Sequence, residues 1–250
     1  MGGASSHFAD TDWDKNDGGL REASDTLDGS KPTTSHTILT LKKQNVVNQR
    51  DFEIRNDMDE LLYQSRGIEG TTKCFDLLDA QGQKLFCIQT DKARVQWIIY
   101  SYTPNWESQK EKSPNSGLYR KAQIDIAWNK YHGSVRLFGP GSNSAGGAGD
   151  GEGGSEAAAA GDDEVLAEEP VLVCEEIRSI TAQFQSFIPS KTLLDTAIHP
   201  PLAGWWVWEH TKRRHQLKMH LAKGNDIALH CIVAITCNMV NVEKHADTVQ

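Results

Sequence analysis

Four consecutive residues, Lys212-Arg213-Arg214-His215, set three fixed positive charges and one titratable imidazole side by side. Close to an anionic membrane surface each Lys or Arg contributes about 1 kcal/mol of attraction, so this run is a candidate lipid-headgroup site. Basic runs are equally at home on solvated turns. At the amino terminus, Met1-Gly2-Gly3-Ala4-Ser5-Ser6 fits M-G-x-x-x-[ST], the pattern in which Gly2, bared by loss of Met1, accepts a myristoyl chain. A single such chain binds membranes with K on the order of 10⁴ M⁻¹ and needs a second attachment signal. The basic run is the one the sequence supplies.

Other chemistries find less support. His210, His215 and His220 recur every five residues, which alternates faces on one strand and separates them in a hairpin, so they do not converge on a metal ion. His199 precedes Pro200-Pro201 without a ligand partner in sequence, and His230 reads as a core histidine bonded to a strand carbonyl. No G-x-S-x-G nucleophile motif is present. The five cysteines, Cys74, Cys87, Cys174, Cys231 and Cys237, form no C-x-x-C pair and sit mostly among apolar neighbours, which reads as buried free thiols in a reducing compartment. Glu175-Glu176 beside Arg178 resembles a strand edge. The expectation is a chain without catalytic residues, metal or cofactor.

The chain has 250 residues, 38% hydrophobic and 24% charged, enough for one sizeable core. Its formal charge is −8, from 26 basic and 34 acidic residues, which speaks against nucleic acid as a partner. The distribution matters more than the sum. Eight carboxylates and no Lys or Arg lie between Gly141 and Pro170, and residues 1 to 31 hold 3 basic against 7 acidic, leaving the remainder with 23 basic and 19 acidic residues. Residues 1–35 are polar with few large apolar groups and predict a disordered acidic tail without an apolar leader. Residues 140–170, Gly- and Ala-rich before the acidic run, predict a disordered insertion within a single domain spanning 36–245, since loop closure costs grow only logarithmically with length. An acidic insertion of this kind is also a candidate surface for a basic protein partner.

Between these segments the pattern is that of strands. Thr37–Leu41, Asp51–Ile54, Leu61–Gln64, Val95–Tyr102, Ile124–Trp128, Val171–Cys174, Ile180–Ile188, Gly204–His210 and Gln216–Ala222 are β-rich, and Cys74–Leu78 faces Lys84–Ile88 across the turn Asp79-Ala80-Gln81-Gly82. In Gln216–Ala222, Leu217, Met219 and Leu221 share a face opposite Lys218 and His220. Trp206 is assigned the face opposite Trp205 and Trp208. About ten short strands predict a sandwich or closed barrel. Ile227–Val240 differs: Asn225 and Asp226 are N-cap residues, and Ile227, Leu229, Ile232, Val233, Ile235 and Val240 make it apolar nearly all round. Fourteen residues span roughly 21 Å, too short for a bilayer, so no transmembrane span is expected. A helix greasy on every side belongs inside the strands.

The hairpin Lys73 to Gln89, the pair Trp205-Trp206-Val207-Trp208 with His215 to Leu221, and the closing run Gly224 to Val240 together resemble the tubby C-terminal-like superfamily. That superfamily includes tubby proteins, phospholipid scramblases and LURP-one-related proteins. The resemblance implies a closed antiparallel barrel of about twelve strands around a central C-terminal helix, without catalytic activity. It also implies association with anionic phospholipids of phosphoinositide type, in the cytoplasm or peripherally at membranes. The alternatives are a scramblase-like lipid transporter and an adaptor that binds protein through the acidic insertion. The chain lacks the scramblases' proline-rich leader, cysteine cluster and acidic calcium motif.

Overall fold

In the computed structural model the described residues are 12–13, 27, 32–44, 50–71, 74–90, 96–104, 118–127, 132–139, 165–178, 183–189, 202–211 and 214–247. They form thirteen strands and one long helix. The strands are β1 (Thr37–Lys43), β2 (Phe52–Asn56), β3 (Leu61–Gly67), β4 (Cys74–Asp79), β5 (Lys84–Thr90), β6 (Gln96–Ser101), β7 (Tyr119–Ala127), β8 (His132–Gly139), β9 (Val165–Leu166), β10 (Leu172–Arg178), β11 (Gln183–Phe187), β12 (Gly204–Thr211) and β13 (Arg214–Leu221), and the helix is α1 (Ile227–Asp247).

Consecutive strands pair antiparallel from β1 to β8 and from β10 to β13, β13 returns to β1, and β10 pairs with β8. Twelve strands thus close into a barrel without a free edge. The thirteenth, β9, adds two residues to β8 beside β10, with Phe138 opposite Leu166 and Gly139 opposite Val165. Register shifts in the β2–β3, β4–β5, β6–β7 and β10–β11 pairs mark bulges, which bend and twist strands toward closure.

Alternation along the strands fills the interior. Leu39, Leu41, Phe52, Ile54, Phe75, Leu77, Ile88, Trp97, Ile99, Ile124, Trp206 and Met219 are all fully buried and belong to one cluster with the apolar residues of α1. In α1 the thirteen residues 228–240 are buried without interruption. A helix with no exposed face over more than three turns, in a chain whose other long elements are strands of one closed sheet, is enclosed by that sheet. Leu229, Ile232, Val233, Ile235 and Val240 are buried as the pattern required, and Ile227 is half-buried at the mouth.

Several expectations change. The helix is 21 residues long, because Asn241 to Asp247 continue the same turns after the apolar run ends. Among the described residues no helix is long and apolar enough to cross a membrane. The sequence pattern left out β8 and β9. Residues 165–170, assigned to the disordered insertion, fold back on β8: the Ala167 amide donates to the Leu137 carbonyl at 2.9 Å and Arg136 Nε to the Glu168 carbonyl at 3.4 Å. Residues 140–164 lie outside the described residues. Within segment 1–35, Leu27 is fully buried and Thr33 is buried with its amide bonded to the Asn225 carbonyl at 2.9 Å, whereas Asp12, Pro32, Thr34 and Ser35 are exposed. β10, read as an edge, pairs on both sides. Residues two apart share a strand face, so Trp206 and Trp208 point inward together, opposite Met219 and Leu217, and Trp205 points outward opposite His220.

Candidate functional site

The β12–β13 hairpin carries the candidate headgroup residues. Its register runs from Gly204 opposite Leu221 to Thr211 opposite Arg214, so Lys212 and Arg213 connect two strand ends that are themselves paired. Lys212 and Arg213 lie outside the described residues, as does Gly2; Arg214 and His215 are placed as the first two residues of β13. Four positions further along β13, Lys218 is exposed on the outer face. His210 sits directly opposite His215, contrary to the expected separation, whereas His220 pairs with Trp205 further along the hairpin, so the register brings two of the three histidines together but not the third. Among the described residues no three His, Cys, Asp or Glu side chains gather where a metal ion would be held.

The outer face of the same hairpin bears an aromatic stack that sequence reasoning missed. Trp13 lies over His36 with ring centroids 5.0 Å apart and planes 12° apart, His36 lies over His220 at 5.3 Å and 22°, and Trp205 meets His220 edge-on at 5.8 Å. His36 Nε2 and His220 Nδ1 are 3.2 Å apart, so one ring donates and the other accepts. Desolvation first, then the charges His36 and Lys218 would present, pushes His220 down to about 4, so its ring is neutral near pH 7. The signal in the sequence was Trp13 itself, a large ring in a polar stretch.

The barrel end at the N-terminus of α1 is closed by polar chemistry. Asp226 is the N-cap: its Oδ1 accepts from the Leu229 amide at 3.1 Å, satisfying a donor the helix leaves open. Its Oδ2 accepts from the Leu27 amide at 2.6 Å, 199 residues away in sequence. Asn225 Nδ2 donates to the Ala203 and Ala222 carbonyls at 3.0 and 2.9 Å, and the Asn225 amide donates to Thr33 Oγ1 at 3.0 Å. His230 is fully buried; its Nδ1 lies 2.9 Å from the Asp226 carbonyl of its own helix, and not against a strand carbonyl as expected. Burial holds it at about 4. Gly204 leaves no room for a side chain: a Cβ there would lie 2.9 Å from Leu221, 3.0 Å from Ser186 and 3.1 Å from His230 of α1.

Beside this closure is a cavity of about 420 Å³ lined by Leu27, Leu61, Leu62, Tyr63, Leu85 and Ile227 with the Asp79–Gln81 turn. Burial, and next the charge of Asp226, raise Tyr63 to about 12, so its hydroxyl keeps its proton. The turn forms as expected: Asp79 Oδ1 accepts from the Gln81 and Gln83 amides at 2.9 and 2.8 Å, and Gly82 takes φ +84°. The buried thiols are poor nucleophiles, since desolvation raises Cys231 and Cys87, the latter to about 11.

Comparison with known proteins finds a likeness of fold. No protein family matches the sequence, and no curated protein is similar to it in sequence. A protein of Arabidopsis thaliana known by X-ray crystallography superposes with a TM-score of 0.52 at 11% identity, covering 86% of this chain and 98% of that one. At that identity the likeness is one of fold.

Proposed function

We propose that this chain is a non-catalytic tubby-like barrel module that associates with anionic membrane phospholipids of phosphoinositide type. The observation that supports the reading is the β12–β13 hairpin: Arg214 and His215 open β13 opposite Thr211 and His210, Lys212 and Arg213 precede them in sequence, and the outer face of β13 also exposes Lys218. A barrel filled by its own helix offers ligands its outer surface and rims, where fixed positive charge favours phosphate. Myristoylation at Gly2 would supply the second attachment signal. Lipid transport of scramblase type requires α1 to leave the barrel, and thirteen consecutive buried residues weigh against that.

The test is co-sedimentation of the full chain with vesicles containing phosphatidylserine and a phosphoinositide. Charge reversal by Arg213→Glu with Arg214→Glu removes at least two attractions of about 1 kcal/mol each, on the order of 30-fold in affinity. Unchanged binding would remove the lipid reading. A second reading, an adaptor that binds a basic protein, is favoured by β9: Gly139 and Val165 are direct partners, so the acidic segment leaves and rejoins the wall at one point. Deleting residues 141–164 leaves lipid binding intact under the first reading and abolishes partner binding under the second.

A further inference from the structure

The sulfurs of Cys174 and Cys237 lie 3.9 Å apart, both buried. Cys174 sits on β10 at the seam where the sheet closes, directly opposite Gly133 of β8. A Cβ on Gly133 would stand 2.6 Å from the Cys174 sulfur, so the missing side chain is what gives that sulfur its place. Cys237 reaches it from α1. The other three cysteines are also reduced, and no such sulfur contact is formed by Cys74, Cys87 or Cys231 among the described residues.

We propose that Cys174 and Cys237 are a redox-modification site, a dithiol that a peroxide oxidises to a disulfide fastening the central helix to the barrel wall. Bringing the sulfurs from contact to bonding distance, about 2 Å, asks for less than 2 Å of approach. One thiolate attacks a peroxide oxygen, the O–O bond breaks, and a sulfenic acid forms; the second thiol displaces its hydroxyl as water. Two thiols and one hydrogen peroxide thus give one disulfide and two waters, with two electrons passing from sulfur to oxygen. The contact with the Cys174 sulfur, and then burial, hold the Cys237 thiol well above its ordinary range, so oxidation is slow at neutral pH and faster at pH 9. The 63-residue separation means the bond closes a long loop, which restricts the unfolded chain.

The experiment treats the folded full chain with hydrogen peroxide, quenches it, alkylates remaining thiols in denaturant and maps disulfides by peptide mass. The expected product is one intramolecular bond between the Cys174 and Cys237 peptides, with a melting temperature raised by several degrees and restored by a reductant. Cys174→Ala and Cys237→Ala each abolish the rise, whereas Cys74→Ala retains it. Recovery of both cysteines as free thiols or as sulfinic acids overturns the proposal. So does scrambled pairing with Cys74 or Cys87, or a Cys174–Cys237 bond that forms only in denaturant.

Discussion

The two ends of the buried run of α1, residues 228–240, differ in chemistry. At its N-terminus the helix is fixed by directed polar bonds: Asp226 to Leu229 and Leu27, Asn225 to Thr33, Ala203 and Ala222. Further along the buried run most side chains are apolar or sulfur-bearing; of its two buried polar residues there, Thr236 and Asn238, Thr236 bonds back to the Ile232 and Val233 carbonyls of its own helix. A hydroxyl satisfied within the helix says nothing about depth or rotation in the barrel. The bonds at Asp226 and Asn225 do, since each joins the helix start to a segment remote in sequence. Apolar packing encloses the helix, and the polar N-terminal cluster sets its register.

That contrast orders the expected effects. Asp226→Ala strands the buried Leu27 and Leu229 amides, each worth about 1–3 kcal/mol when unpaired, and should cost about 3 kcal/mol or more in chemical denaturation. Leu27→Ala, which truncates a fully buried side chain, should cost about 2–4 kcal/mol although it lies in a segment whose composition predicts disorder. Gly204→Ala forces Leu221, Ser186 or His230 to shift, at about 1–3 kcal/mol for overpacking. Thr236→Val should cost less than about 1 kcal/mol, because the carbonyls it releases retain helix partners. A loss at Thr236 equal to that at Asp226 would break the comparison.

Acid probes the histidines on either side of this boundary. His220 and His230 are held near 4 in the fold, against about 6.5 when unfolded. Their folded values are depressed, so unfolding takes up protons. The stability they contribute is complete above pH 6.5 and is lost as pH falls from there toward 4. Near pH 5 about two protons are bound on unfolding, a slope of about 1.4 kcal/mol per pH unit for the buried His230 and a screened one for His220. His230→Gln should lower the slope of stability against pH between 6.5 and 5, measured by circular dichroism melts.

Features governed by local periodicity were legible. The alternation of Leu217, Met219 and Leu221 against Lys218 and His220 placed β13 correctly, the Asp79–Gly82 turn carried its own hydrogen-bond logic, and the apolar run after Asp226 gave the enclosed helix. What escaped depends on distant partners. Leu27 and Trp13 look like stray apolar residues until Asp226 and His220 arrive from the far end of the chain. In β8, Val135 and Leu137 alternate with Ser134 and Arg136, but Gly133 and Gly139 at either end weakened the strand signal. The inward pairing of Trp206 with Trp208 follows from period two alone and was open to sequence reasoning. The basic run at the hairpin was found from composition, and the register added its setting between paired strand ends.

Vesicle binding by the full chain at two salt concentrations tests the central claim most directly. The attraction proposed between the hairpin's basic residues and anionic headgroups would be screened over about 8 Å at physiological ionic strength and about 3 Å at 1 M. The account predicts binding to phosphoinositide vesicles that weakens sharply as salt rises, and no binding to neutral phosphatidylcholine vesicles. Binding that is unaffected by salt and equal on neutral vesicles, or no binding at low salt, would contradict it.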